Sequence, residues 1–429
     1  MTANIPCGMD FGTSNSTVAL AHSGATNLLP LEGERSVIPS TIFFSFEEDE
    51  VRFGRDAVLQ YVGGVEGRLM RSLKSVLGSA TMAEKTAIKT RRWGYGEIIG
   101  LFIREVRRRA ENAAGRALDE VVLGRPVFFV DDDAAADRRA QDELEAIARD
   151  AGFTSVEFQF EPIAAALDHE RTVQGEELAV IIDLGGGTSD FSVVRVSPEG
   201  RAQTDRRDDI LASSGVHVGG TDFDQLLSLK RVMPEFGLGT LARDGKRDLP
   251  KWAFYELATW HRINFLYTSK AVQQLKELRY DAREPERIAR LIELVERRFG
   301  HALAGTVEEA KIALSEADFH SLHIPMHDGD LAVDITVTDL VEAIQTSVGR
   351  VERALDECLM LAEVPATAVS TVFLTGGSAS IPFVRDRLTR KFSDARIVQG
   401  NVFGSVGSGL ALDAARKFGS RSEELAQTG

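Results

Sequence analysis

Two short glycine-rich turns, each entered through an aspartate, constrain this chain more than anything else in it: MDFGTSNS near the N-terminus and IDLGGGTSD further on. Each follows an apolar strand and leads into a second apolar strand, TVALAH in the first case and FSVVRV in the second. In dinucleotide-binding and P-loop sites the glycine turn leads from a strand into a helix, so neither of those patterns fits. A strand-turn-strand hairpin holds an anion in another way, because successive backbone NH groups in a tight turn point into one concave nest. Gly12, Gly185, Gly186 and Gly187 would let the backbone approach phosphate oxygens, and Thr13, Ser14 and Thr188 would add hydroxyl donors. Asp10 and Asp183 close the strands just before each turn. Carboxylates beside phosphates make sense with a divalent cation between them, and magnesium ordinarily takes one or two carboxylates and keeps several waters. Taken singly, each turn also suits a plain hairpin whose aspartate caps backbone NH groups. Two of them in one chain point to an internal duplication of a half-domain.

The rest of the chain reads as alternating strand and helix, the pattern of a layered α/β fold. After the first hairpin come a helix in EIIGLFIREVRRRAENAAG with apolar residues at 3.6-residue spacing, a strand EVVLGRPVFFV, and a helix from about 133 to 151. A strand SVEFQF and a helix PIAAALDHE follow, Pro162 suiting the first helical turn. Beyond the second hairpin, long helical stretches such as WAFYELATWHRINFLYTSKAVQQLKEL form an insertion. The chain then closes with VEEAKIALSEADF (helix), VEAIQTSVGRVERALDECL (helix), TVFLTGG (strand), IPFVRDRLTRKF (helix) and the glycine-punctuated FGSVGSGLALDAARKF.

Composition narrows the function classes. The 429 residues carry 50 Lys+Arg against 65 Asp+Glu, a net charge of −15, which argues against nucleic acid or an anionic membrane as main partner. Two cysteines, Cys7 and Cys358, exclude a disulfide framework or a four-cysteine zinc site. The eight histidines show no metal-ligand spacing, and His261, His301 and His323 carry no specific signal. No apolar run reaches the length of a membrane helix, and the start MTANIPCGMDFG lacks the basic and apolar regions of a signal peptide, so the expected compartment is the cytoplasm. Arg104, Arg107, Arg108 and Arg109, interleaved with Glu97, Glu105 and Glu111, read as a solvated helix face. The aromatic-rich WAFYELATWHRINF reads as a buried helix of the insertion.

MDFGTSNS and DLGGGTSDFS resemble the two phosphate motifs of the superfamily that unites actin, sugar kinases and heat shock protein 70, and further segments are most similar to the ATPase domain of the heat shock protein 70 family. FEPIAAALDHE resembles that family's first connecting motif, VHVGGTDFD its Gly-Gly-acid segment, VEEAKIALS its adenosine-contacting helix and LTGGSASIPFV its adenosine motif. All six segments occur in the family's order, from about residue 5 to about residue 414.

The resemblance implies a two-lobed, actin-like ATPase fold of duplicated ribonuclease H-like domains: 1–39 and 98–172 as the core of lobe I with an insertion at 40–97, and 173–224 and 306–399 as the core of lobe II. It further implies a helical insertion at 225–305, a helix at 400–416 returning to lobe I, and a polar tail at 417–429. Magnesium would be surrounded by Asp10, Asp183 and Glu161, largely through its waters. ATP or ADP would be held by Gly12, Thr13, Ser14, Gly185, Gly186, Gly187, Thr188, Gly219 and Gly220 at the phosphates, and by Glu308, Lys311, Ser315, Gly376, Gly377, Ser378 and Ile381 at the nucleoside. Lys74, in SLKSVLG, fits the family's catalytic lysine, with Glu161, Asp190 and Thr188 near the attacking water. A solvated surface lysine, a helix N-terminal acid at Glu161 and an ordinary amphipathic helix at 308–315 are the competing readings.

The chain also departs from the family pattern. Ser380 stands where the family has an adenine-stacking arginine, leaving Ile312 to cover the ring; Val37 replaces a hydroxyl near the γ-phosphate; Gly400 and Asn401 replace an acidic residue in the final connecting segment. The expected activity is slow, magnesium-dependent ATP hydrolysis driving a chaperone-type conformational switch. The chain would act as a monomer without a peptide-binding domain, with one unidentified protein partner besides the nucleotide. A small-molecule kinase and an actin-like filament protein are the alternatives.

Overall fold

A computed structural model describes residues 5–427 apart from 23, 49, 131, 132, 201, 202, 204 and 400–403, with backbone alone at 168, 399 and 420–427. A six-strand sheet and a five-strand sheet form its frame. The first contains β1 (Cys7–Phe11), β2 (Asn15–His22), β3 (Ala25–Leu28), β4 (Glu120–Arg125) and β5 (Ser155–Phe160) in the order β5-β4-β1-β2-β3, with Val37–Pro39 pairing β2 at the side. The second contains β6 (Glu177–Leu184), β7 (Ser189–Val196), β8 (Ile210–Val216), β9 (Thr371–Thr375) and β10 (Arg396–Gln399) in the order β10-β9-β6-β7-β8. Order and sense coincide: β1-β2-β3 and β6-β7-β8 are antiparallel meanders, while β1-β4-β5 and β6-β9-β10 are parallel. One topology is therefore used twice, and the fold is the two-lobed α/β fold that the resemblance implies.

Local chemistry explains the elements. Strand β6 buries a continuous apolar run, Ala179 to Ile182, as a central strand covered on both faces must. Helix Tyr95–Ala114 buries Ile98, Ile99, Phe102, Ile103, Val106 and Ala110 on one stripe and stops at Gly115, whose φ of 67° is the left-handed conformation glycine adopts without strain. Helix Ala134–Asp150 is capped by Asp133, whose carboxylate accepts from the NH groups of Ala135 and Ala136. Separate cores fill the lobes, one around Phe11, Ile42, Phe102 and Leu123, the other running from Val180 through the helical insertion to Phe392.

Several expectations change. The strand expected over 120–130 ends at Arg125, because the buried Arg125 guanidinium collects the carbonyls of Pro126 and Val127 together with Asp137 and Gln141, turning the backbone away from the ladder. A hairpin of Phe319–Met326 and Gly329–Thr336, not foreseen, follows the helix Gly300–Ala313. That helix starts inside the stretch assigned to the insertion, so no structural break falls at 305. The last helix is Ser405–Gln427 rather than 400–416; Phe418 is buried and Lys417 Nζ donates to the Phe158 carbonyl, so the chain is still packed where a polar tail was expected to begin. Gly400 and Asn401 lie outside the described residues. The arginine-rich face is only partly solvated. Arg107 donates to the carbonyls of Leu118 and Ala151, and Arg109 reaches the Leu31 carbonyl, tying their helix to its neighbours. Among the described residues no helix is long and apolar enough to cross a membrane.

The last helix packs on the first sheet and crosses helix Glu161–Glu170, which packs against β6 and β7 of the second. A Cβ on Gly409 would lie 1.8 Å from the Ala164 carbonyl oxygen, so only glycine allows the crossing. This joint places the two aspartate-ended hairpins face to face.

Candidate active site

Both hairpins form as the sequence requires. Asp10 pairs with Thr17 across the first and Asp183 with Asp190 across the second, so each acid sits one pair before the last pair that closes its hairpin, Phe11 with Ser16 and Leu184 with Ser189. Each turn is pinned from its own lobe. Ser40 Oγ donates to the Gly12 carbonyl at 2.7 Å. In the second turn the carbonyls of Gly185 and Gly186 accept from the NH groups of Gly220 and Thr221 at 3.0 and 2.8 Å. The turns meet across the cleft: a Cβ on Gly186 would lie 2.7 Å from Ser14 Oγ. Gly219 is closed to any side chain by the backbone of Gly186 and Gly187 at 2.5 to 2.6 Å, whereas a Cβ on Gly187 would meet nothing within 4 Å. The second turn is thus backed by the Gly219–Gly220 segment and open on its cleft side.

Lys74 enters from a 3-10 turn, Leu73–Val76, and is 7% exposed, which removes the surface-lysine reading. Its Nζ donates to Glu161 Oε1. Burial works to lower the Lys74 pKa, but Glu161, Asp10 and Asp183 together raise it above its ordinary value. Burial and the neighbouring Glu161 push Asp10 up to about 7, and burial and Asp190 push Asp183 up to about 6 even though Thr375 Oγ1 donates to Asp183 at 2.9 Å. Three carboxylates, those of Asp10, Glu161 and Asp183, thus share Lys74, and Asp190 adds a further negative charge beside Asp183. That excess of negative charge suits a divalent cation. Among the described residues no three His, Cys, Asp or Glu side chains converge closely enough to ligate one ion directly, so the donors suit a cation held through waters and phosphate oxygens. Thr188 Oγ1 donates to Asp190 Oδ2 at 2.8 Å on the exposed end of β7.

The residues expected at the nucleoside lie in lobe II. Lys311 is buried, pairs with Asp224 at 2.8 Å and donates to the Gly220 carbonyl at 3.2 Å, linking helix Gly300–Ala313 to the backing of the second turn. Glu308 is exposed on the same helix. Ser315 lies just past the helix end, its Oγ reaching the Lys311 carbonyl at 3.5 Å, so the expected stripe is helical at Glu308 and Lys311 only. Ile312 is 59% exposed between two buried neighbours, Ala310 and Leu314, the exposure a ring-covering residue needs. Gly376 has φ 80°, and a Cβ there would strike the Leu184 carbonyl at 2.3 Å and Asp183 Oδ1 at 2.8 Å, so this turn packs directly against Asp183. Ser378 is buried beneath Gly377, while Ser380 is exposed. Ile381 is 3% exposed and packs in the lobe II core behind the turn.

Sequence reasoning missed the residues at the outer rim of the cleft. Tyr61 and Arg71 on one lip face Trp260, Asn264 and His301 on the other. The aromatic composition of 252–265 was the available signal, but helix Trp252–Ala258 buries only Ala253, Phe254, Leu257 and Ala258, and the following turn carries Trp260 to the rim.

A protein-family model described as "Hsp70 protein" matches residues 6–238 and 291–425. Among curated relatives, "Chaperone protein DnaK" of Thermotoga neapolitana is 27% identical over 412 residues, covering 95% of this chain and 59% of that protein. The "Chaperone protein DnaK" of Endomicrobium trichonymphae is 25% identical over 390 residues, covering 88% of this chain and 52% of the relative. The chain therefore spans little more than half the length of the curated relatives it matches.

Proposed function

The chain belongs to the Hsp70 family, and from that premise we propose that it binds magnesium-ATP in the interlobe cleft, hydrolyses it slowly to ADP and phosphate, and works as a chaperone-type switch read by a protein partner. The observation that carries this reading is the convergence of two aspartate-ended glycine hairpins from opposite lobes on the Lys74–Glu161 pair.

The phosphates lie between the turns, held by backbone NH groups around Gly12 and Gly185–Gly187 and by the hydroxyls of Thr13, Ser14 and Thr188. Asp10, Asp183 and Glu161 would hold magnesium, which would supply charge neutralisation at the phosphate oxygens. Lys74 brings a fixed cation to the γ-phosphoryl group, where negative charge redistributes as the bond to ADP breaks. Thr188 and Asp190 orient the attacking water, Asp190 accepting its proton. The nucleoside rests against Ile312 and the Gly376–Ser378 turn, with Glu308 and Lys311 toward the sugar. ATP bridges both hairpins and favours the closed cleft, and loss of the γ-phosphate removes part of that bridge.

Release of inorganic phosphate from magnesium-ATP with no acceptor added tests the reading against a small-molecule kinase. Sedimentation with and without ATP tests it against a filament. Steady phosphate release from unsedimented protein is the expected result.

A further inference from the structure

We propose that the tip of the insertion, where the loop 241–248 lies on the end of helix Ser269–Asp281, is a docking surface for a short acidic segment of a partner protein. This gives a chemistry to the partner in the reading above, and its test uses no nucleotide, so either can fail alone.

The stretch 239–290 falls between the two parts of the chain matched by the family model, so this region is the chain's own. Its charge is also opposite to that of the rest. It carries 11 Lys+Arg against 7 Asp+Glu, a net charge of +4 in a chain of −15, which leaves −19 on the remainder.

Backbone contacts hold the tip in one shape. Leu241 bridges to Asp248 and Ala242 to Ala282. The Arg243 NH donates to the Asp281 carbonyl at 2.8 Å, and the Arg283 NH to the Leu241 carbonyl at 2.9 Å. The Asp244 carboxylate accepts from the NH groups of Lys246 and Arg247 at 2.9 and 3.1 Å and pairs with the Arg247 guanidinium, which also pairs with Asp281. Those two NH groups, and then the guanidinium, hold the Asp244 carboxyl down at about 2, so the turn stays ionised at any physiological pH. A Cβ on Gly245 would lie 4.0 Å from Arg283 Nη1, so the loop and the helix end present their cations side by side.

The carboxylates nearest these cations are already paired. Asp244 and Asp281 take Arg247, Asp248 pairs with Lys251, and Glu284 takes Arg287 and the Thr240 hydroxyl. Among the described residues, Arg243, Lys246, Arg279 and Arg283 have no carboxylate at ion-pair distance, and all four are exposed. The Arg243 guanidinium lies 4.7 Å from the ring centroid of Tyr280, which is 75% exposed. Arginine and tyrosine are the residue types that carry most interface energy, and a surface already ordered loses little entropy on binding. A guanidinium takes a carboxylate through two parallel hydrogen bonds. Four unpaired cations around an exposed ring therefore fit several Asp or Glu side chains on one short segment, with an apolar residue against Tyr280. A nucleic acid fits less well, because a polyanion running past the tip meets the −19 of the remainder.

The test is fluorescence anisotropy, without nucleotide, of a fluorescein-labelled peptide with a run of about six glutamates beside one leucine. It is titrated with the unaltered chain, with Arg243→Glu/Arg283→Glu, and with Arg92→Glu/Arg350→Glu, which makes the same charge change away from the tip. All four arginines are exposed, so both variants should fold. The surface predicts saturable binding that weakens about tenfold or more in the tip variant and stays within twofold in the other. It further predicts that affinity falls as salt rises from about 50 to about 200 mM, and that a glutamine version of the peptide does not bind. No saturable binding to the unaltered chain, or equal weakening in both variants, overturns the proposal. Tighter binding of an oligouridylate of equal charge assigns the surface to nucleic acid, and self-association that the tip variant abolishes assigns it to a second copy; either result overturns it as well. Failure of the unaltered chain to bind magnesium-ATP overturns the functional reading and leaves the peptide result standing.

Discussion

Lys74 and Glu161 lie 87 residues apart in sequence, one from the lobe I insertion and one at the start of a helix crossing under the cleft, yet Lys74 Nζ donates directly to Glu161 Oε1. A buried lysine facing two further carboxylates, Asp10 and Asp183, is held charged and in place before any ligand arrives. On the proposed reading it is also the group whose removal should separate binding from turnover.

Lys74→Ala should leave magnesium-ATP binding within a few fold of the unaltered chain, since in the proposed site backbone NH groups do most of the holding of the phosphates. Phosphate release in single turnover should fall by about 100-fold or more, the scale on which a positioned charge at a reacting centre contributes. Unchanged turnover would remove Lys74 from the site.

Gly187→Ala separates a phosphate nest from a plain hairpin. A Cβ at Gly187 meets nothing within 4 Å, so the melting temperature without ligand should not change. The methyl group would stand in the open cleft face of the turn, and ATP affinity should fall by about tenfold or more. Gly219→Ala, by contrast, places a methyl group 2.5 Å from the Gly186 backbone and should lower both stability and affinity. Equal ATP affinity in Gly187→Ala would return the turn to an ordinary hairpin.

The raised aspartates give stability a defined pH dependence. Asp10 titrates at about 7 and Asp183 at about 6, both above the 3.8 of an unperturbed aspartate. Between about pH 4 and 7 the folded chain therefore holds more protons than the unfolded one, and these two groups make stability fall as pH rises through that window. Without ligand, thermal melts should show Asp10→Asn gaining about 2 °C or more over the unaltered chain at pH 8, with the gain vanishing toward pH 4. Magnesium-ATP should flatten the profile of the unaltered chain and leave Asp10→Asn almost without magnesium-dependent stabilisation. A ligand-free profile that Asp10→Asn does not alter contradicts the electrostatic assignment.

Ser380→Arg restores the cation that the family places against the base. Ser380 is exposed beside the Gly376–Ser378 turn, so the longer side chain has room. A cation–π contact of about 0.5 to 2 kcal/mol corresponds to roughly 2- to 30-fold tighter ATP binding. The same substitution should have a smaller effect on inorganic triphosphate, measured by competition.

The parts of this fold that were legible in sequence are those written in local chemistry. Asp10 and Asp183 before their glycine turns, Asp133 as a helix cap and the apolar stripe from Ile98 to Ala110 each specify a conformation within a few residues. The repeated hairpin also foretold the repeated strand order. What stayed hidden depends on partners distant in sequence. Nothing near Arg125 reveals that its guanidinium will gather the next two carbonyls and end the strand. Ile381 reads as part of a nucleoside motif, and only the packing of lobe II turns it inward. Tyr61 and Asn264 are 203 residues apart, and neither carries a motif, so their meeting at the cleft rim follows only from how the lobes close.

Isothermal titration of the chain with magnesium-ATP at neutral pH measures directly whether the cleft is a nucleotide site. A saturable heat with a Kd in the micromolar range or tighter, about −8 kcal/mol or more favourable, accompanied by an upward shift in melting temperature, is the predicted result. No heat and no thermal shift would contradict it.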